Sequence, residues 1–375
     1  MLALLLALLL AAHCFSVRQS AFYKYRGMQN FNVHYDTAIC PQPDAPSLVL
    51  ITGFGVGTFH YDKQFDELSQ RFRVFSLDLL GQGKSWPTDR EISASDRMSY
   101  SIDTWYDQIV EFIEEKVLPQ SPSSSSIHIA GNSLGGYLAS LVASRNKNHV
   151  KSLILLNNTP FWGFNSFQEG RVPILGWDAV LPAPKPILSF ASAYFNTLRN
   201  PSTVRAMLDL VYSNKRSGYD EGLVSSIINS SGDPHGPEAF SSILFAQKCG
   251  LRYAEILSSV RRNGVPVLML YGADDPWITP WWGVRTKAIL GDGCIYVECS
   301  NSGHCVHHES PRAANSIMRR FVEEVEAGKD IASVDMAPAL GQYHEEGHVV
   351  EAATRDRHAD GVLDQLSDYI VEKFI

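Results

Sequence analysis

In the stretch SIHIAGNSLGGYLASLVA, residues 126–143, Ser133 stands at the centre of a G-x-S-x-G pattern. A serine hydroxyl is a poor nucleophile unless a neighbouring base takes its proton, so a reactive Ser133 demands a histidine and an orienting acid later in the chain. Both follow in that order. The segment VPVLMLYGADDPWITP puts Asp274 and Asp275 directly after an apolar run, and Asp275, in the spacing G-x-x-D, is preferred over Asp274 as the acid. The segment SNSGHCVHHESP offers three histidines. His304, directly after Gly303 at the start of the loop, is the expected base, while His307 and His308 are expected to line the loop or the start of the next helix. A second position for the acid exists in some hydrolases, after the preceding strand. Here that place reads LLNNT, and neutral Asn157 or Asn158 could not balance an imidazolium by charge.

A tetrahedral intermediate also needs two N–H donors aimed at its oxyanion, each worth roughly 3 kcal/mol of barrier. Leu134 N–H, directly after the nucleophile, is one. The turn TGFGVG offers the other, Phe54 N–H, with Gly53 and Gly55 letting the backbone approach a substrate. That turn lacks the G-K-[ST] ending of a phosphate loop and meets no early dinucleotide fingerprint, which argues against a nucleotide site.

These residues must be held by a frame, and the frame is legible. Apolar, β-branched runs recur at 47–52, 73–81, 126–132, 151–159, 265–272 and 294–299. Near-continuous apolar strands belong to a sheet covered on both faces. Residues 104–118, 134–146 and 310–327 carry apolar positions three and four apart, the last from a Ser310 cap with Pro311 at the first helical position. Strand–helix alternation of this kind predicts an α/β fold with a mainly parallel sheet. Ser133 falls where a strand ends and a helix begins, the setting in which Gly131 and Gly135 permit a sharp turn. Residues 160–262 hold no convincing strand and are read as a helical cap inserted between core segments 31–159 and 263–327.

The net charge of −8 and the absence of any long Lys/Arg run exclude a nucleic-acid surface. The first 14 residues, an apolar run too short to span a bilayer, read as an export signal, and residues 15–30, basic and free of acids, as a transit-like segment. Together they predict a plastid reached through the secretory route, with secretion as the simpler alternative. Six cysteines at irregular spacing imply neither a disulfide framework nor a zinc pattern, so no metal and no cofactor is expected. Residues 328–375 form an acidic extension, read as a flexible linker followed by a docking helix near the C-terminus.

The segments ITGFGVGTFHYDKQ, VFSLDLLGQGKSWP, GNSLGGYLASL, LLNNTPFWGFN, YGADDPWITPWWG and SGHCVHHESP together closely resemble pheophytinases, α/β-hydrolases that cut phytol from chlorophyll-type pigments. The similarity covers roughly residues 31–325. It implies an α/β-hydrolase fold, a Ser133–His304–Asp275 triad and a lipophilic tetrapyrrole ester as substrate, with pheophytin slightly preferred to chlorophyll. It also implies a pigment-facing wall at Phe161, Trp162 and Phe164, and peripheral association with pigment membranes fits such a substrate. The chain departs from the family pattern at Val306 and His308, where a Pro and an acid are usual. Hydrolysis of other lipophilic esters such as acyl lipids, and a hydrolase-fold receptor with incidental turnover, are the alternatives.

Overall fold

The computed structural model describes residues 16–87, 98–122, 126–160, 177, 179–215, 218–246 and 250–355. Among them ten strands form one sheet: β1 (Arg18–Lys24), β2 (Asn32–Ala38), β3 (Ser47–Ile51), β4 (Arg73–Leu77), β5 (Ile127–Asn132), β6 (Val150–Leu156), β7 (Val267–Gly272), β8 (Cys294–Cys299), β9 (Gly341–Glu345) and β10 (His348–Thr354), in the order β1-β2-β4-β3-β5-β6-β7-β8-β10-β9. The six apolar runs of the sequence become the six central parallel strands, β3 to β8. Alternate residues on those strands enter two separate cores. Val49, Ile51, Ile129, Leu153 and Met269 face one side, and Leu48, Leu50, Ala130, Ile154 and Leu268 face the other.

The helices are α1 (Asp62–Leu68), α2 (Ile102–Phe112), α3 (Leu134–Arg145), α4 (Lys185–Leu198), α5 (Pro201–Val211), α6 (Glu221–Ser230), α7 (Gly236–Phe245), α8 (Tyr253–Arg262), α9 (Pro280–Leu290), α10 (Val306–Glu309) and α11 (Pro311–Glu326). The amphipathic pattern of 310–327 becomes α11, which buries Ala313, Ala314, Ile317, Met318, Phe321 and Val322 against the sheet. Ser310 occupies its cap position, but its Oγ shares a 2.5 Å hydrogen bond with Ser302 Oγ instead of capping a helix N–H. His128, in the strand before the elbow, is structural: its Nδ1 meets Ser152 Oγ and its Nε2 meets Glu326 Oε1, both at 2.7 Å.

Three boundaries differ from the sequence reading. Residues 18–24, expected within the transit-like segment, pair along their whole length with β2, and Arg18 binds Asp36 and Asp62 of the domain. Basic, acid-free composition suits an edge strand next to acidic partners as well as it suits a transit sequence. The cap ends before residue 262, because α8 packs on α3 and α9 and sends Tyr253, Ile256, Leu257 and Val260 into the main core. The acidic extension carries the hairpin β9–β10, whose second strand adds antiparallel to β8 and buries Val350 and Ala352. The expected signal (residues 1–14) and the C-terminal docking helix lie outside the described residues, as do Phe161, Trp162 and Phe164.

Candidate active site

β5 delivers Ser133 to a turn whose backbone, φ 54° and ψ −119°, is strained for any residue with a Cβ. The strain persists because the surroundings are packed to the limit. A Cβ on Gly131 would lie 2.2 Å from the carbonyl of Gly135, and one on Gly135 would lie 2.1 Å from Ile51 O. Strand, elbow and helix therefore meet backbone to backbone, and the side chain of Ser133 is lifted out at the carboxyl edge of the sheet. The turn after β3 comes to the same place: a Cβ on Gly53 would sit 3.6 Å from Ser133 Cβ. Leu134, first residue of α3, has an N–H with no partner inside the helix, the ordinary condition of a helix start. Gly55 N–H donates to Gln82 Oε1 at 2.5 Å, which anchors the turn carrying Phe54.

Asp275 and His304 come together across the two loops. His304 Nδ1–H donates to Asp275 Oδ2 at 2.7 Å, leaving Nε2 as the ring's free basic atom. Asp275 Oδ1 accepts from the N–H groups of Trp277 at 2.8 Å and Ile278 at 3.0 Å. Burial pushes the Asp275 carboxyl up, but the charge and hydrogen bond of His304 and these two N–H groups outweigh it and hold the acid below its usual range. An ionised carboxylate so held is able to orient an imidazole and to balance its positive form. Asp274 points elsewhere: its Oδ2 accepts from Ser213 Oγ at 2.8 Å.

Ser133 Oγ makes no hydrogen bond among the described residues. Such contacts often close only when a substrate is bound. The two loops are nevertheless pinned together, since Asn132 Nδ2 donates both to Leu156 O and to His304 O, each at 3.0 Å. Asn132 is a residue the sequence reading passed over, although it lies inside the motif. Asn157 is another. Its Nδ2 donates to Asp275 Oδ2 at 2.9 Å while its Oδ1 accepts from Gly272 N–H at 2.9 Å, so the position read as vacated by an acid supports the acid of the next strand. Trp277 is a third: its indole is 46% exposed and lies 5.7 Å, centroid to centroid, from the His304 ring.

An open cleft runs between the core loops and the cap, lined by Phe54 and Trp86 from the core and by Phe195, Phe240 and Ile243 from the cap. Apolar and aromatic walls of this kind suit a lipophilic chain.

His307 and His308 lie in α10 and do not join the Asp275–His304 pair. With His60 they form a buried group. His60 and His308 stack at 5.1 Å, His60 and His307 meet edge-on at 4.7 Å, and Tyr212 Oη lies 3.2 Å from both His60 Nε2 and His308 Nδ1. Burial, reinforced by the neighbouring histidines and Lys63, pushes all three below the usual imidazole value, His308 to about 3. The unfolded chain binds protons at these sites below about pH 6.5, whereas the native chain does not, so stability falls as the pH drops through that region. Each histidine contributes a slope of about 1.4 kcal/mol per pH unit there. Urea unfolding at a series of pH values from 6.5 to 4.5 should show a falling midpoint, and His307→Phe should flatten the decline. An unchanged slope in that variant would remove His307 from the account.

A model of the alpha/beta hydrolase family matches residues 48–316. The chain belongs to that family. Among curated relatives, the chloroplastic pheophytinase of Arabidopsis thaliana is 34% identical over 79% of this chain and 65% of its own length. The chain thus spans less than two thirds of that relative. The human (lyso)-N-acylphosphatidylethanolamine lipase is 26% identical over 81% of this chain and 87% of its own length. Among solved structures, the enol-lactonase of Burkholderia xenovorans LB400 superposes with a TM-score of 0.60, covering 81% of this chain and all of that one at 19% identity. That likeness speaks for the fold, and the fold is the one the strand–helix alternation predicts.

Proposed function

We propose that this alpha/beta hydrolase is a serine esterase that releases phytol from a chlorophyll-type pigment. Ser133 Oγ attacks the ester carbonyl and its proton passes to His304 Nε2. The oxyanion is held by the N–H groups of Leu134 and Phe54. His304 then returns the proton to the departing alcohol, and water, activated by the same imidazole, frees the pigment acid from the acyl-enzyme. Asp275 keeps His304 in the right tautomer throughout.

The observation that carries the substrate is the 34% identity to a pheophytinase, and the site is compatible with it. The cleft beside Phe54 supports an apolar tail, and Trp277 gives a flat, half-exposed aromatic face beside His304 against which a macrocycle can stack. A plastid location is supported by the same relationship, whose curated member is chloroplastic. The second reading, an esterase of acyl lipids, is favoured by the lipase that aligns over 87% of its own length.

Protein starting at residue 16, which keeps β1, should release phytol from pheophytin, somewhat faster than from chlorophyll, when each is presented in detergent and the products are separated by chromatography. Cleavage of an N-acylphosphatidylethanolamine or another acyl ester, with neither pigment touched, would transfer the assignment to the acyl-lipid reading.

A further inference from the structure

Glu309 is a carboxylate that is 3% exposed, and among the described residues no Lys or Arg pairs with it. It is instead surrounded by N–H donors from two different parts of the molecule. Oε2 accepts from Gly303 N–H at 2.6 Å and from Ser213 N–H at 3.3 Å. Oε1 accepts from Asn214 N–H at 2.6 Å and from Asn214 Nδ2 at 3.0 Å. Gly303 immediately precedes His304, whereas Ser213 and Asn214 follow α5 and belong to the cap.

The same seam is closed by other bonds. His304 N–H donates to Val211 O, the last residue of α5, at 2.8 Å. Asn214 Nδ2 donates to Asn301 O at 2.7 Å, and Ser213 Oγ to Asp274. The backbones approach so closely that a Cβ on Gly303 would lie 2.3 Å from Val211 O. A buried carboxylate that lost its donors would be left as an uncompensated charge, so its four bonds are made or broken as a set.

We propose that Glu309 is a positioning residue that latches the cap to the loop carrying His304, so that seating the cap and placing the imidazole are one event. The proposal rests on the reading of His304 as the base. A glutamine at this position keeps the shape but replaces one acceptor with an NH2 group that faces backbone N–H donors, and it loses the charge that strengthens such bonds.

The test compares wild-type protein with Glu309→Gln and with Asn214→Ala, which removes the cap's side-chain bonds to Glu309 and Asn301 O but leaves every residue of the His loop in place. Hydrogen exchange should accelerate at least tenfold in residues 211–214 and 303–309 together, with β5 and β6 unaffected. The rate at which a fluorophosphonate labels Ser133, and kcat on p-nitrophenyl acetate, should fall ten- to a hundredfold in Glu309→Gln with KM within about twofold of wild type. Asn214→Ala should give a smaller loss of the same kind. A purely structural Glu309 would lower thermal stability and leave kcat of the folded variant unchanged. That result, or exchange that rises in the His loop alone, overturns the latch. Should wild-type Ser133 resist the fluorophosphonate, the esterase reading falls, and the exchange pattern still decides whether cap and loop open together.

Discussion

Ser133→Ala is expected to abolish ester hydrolysis, with a loss on the order of 10⁵- to 10⁶-fold, the scale seen when a triad nucleophile is removed. The fold should survive. The elbow's backbone at φ 54° is equally strained for serine and alanine, and the close approaches that enforce it involve Gly131, Gly135 and Ile51, not the Ser133 side chain. Ser133 Oγ makes no hydrogen bond among the described residues, so its removal leaves no described polar group unpaired. The circular dichroism spectrum, the urea midpoint and pigment binding should therefore match wild type while turnover disappears. A serine-directed fluorophosphonate should add one label to wild-type protein and none to the variant. Hydrolysis retained within tenfold of wild type would mean that Ser133 is an ordinary turn residue and that another group carries the reaction.

What the sequence reveals and what it hides divide along a physical line. The strands β3 to β8 are covered on both faces, so each reads as a continuous apolar run that needs no partner to be recognised. The edge strands carry no such mark. RQSAFYK in β1 is mostly exposed or half-buried, with Tyr23 its one buried residue, and β9–β10 lies in a segment where ten carboxylates face four basic residues, the composition of a solvated tail. Within the proposed site, Ser133 and His304 stand out in the sequence because each sits in a short local pattern fixed by the turn it must make. Asn157 is not, because its partner Asp275 lies 118 residues away and the contact exists only once β6 and β7 are paired. The same holds for Glu309, whose donors come from its own loop and from the cap. The signal was present in LLNNT and HHESP, but only as residue types whose meaning depends on what the fold brings beside them.

Asp275→Asn should lower turnover by about 10⁴-fold, the effect known for triads in which the acid is made neutral. Both carboxylate oxygens of Asp275 are saturated: Oδ1 takes two backbone N–H groups, and Oδ2 takes His304 Nδ1–H and Asn157 Nδ2. An asparagine must place its NH2 at one of those two sites. At the Oδ1 site it would confront two backbone donors, so the amide nitrogen is driven to the Oδ2 side, where it faces His304 and Asn157. His304 then accepts at Nδ1 and carries its proton on Nε2, the atom that must be free to take one from Ser133. Charge is lost as well, so an imidazolium has nothing to balance it. Asn157→Ala at the same site removes only one donor to Asp275 and should have a milder effect of the same sign. Asp274→Asn makes the contrast, because Asp274 Oδ2 accepts a single hydroxyl from Ser213 at the cap and an amide oxygen accepts it equally well. Its turnover should stay within about threefold of wild type on a small ester. Steady-state kinetics of the three variants on p-nitrophenyl acetate, at a pH where all are folded, tests the assignment. Near-normal turnover in Asp275→Asn together with a collapse in Asp274→Asn would move the acid to its neighbour, and with it the tautomer argument for His304.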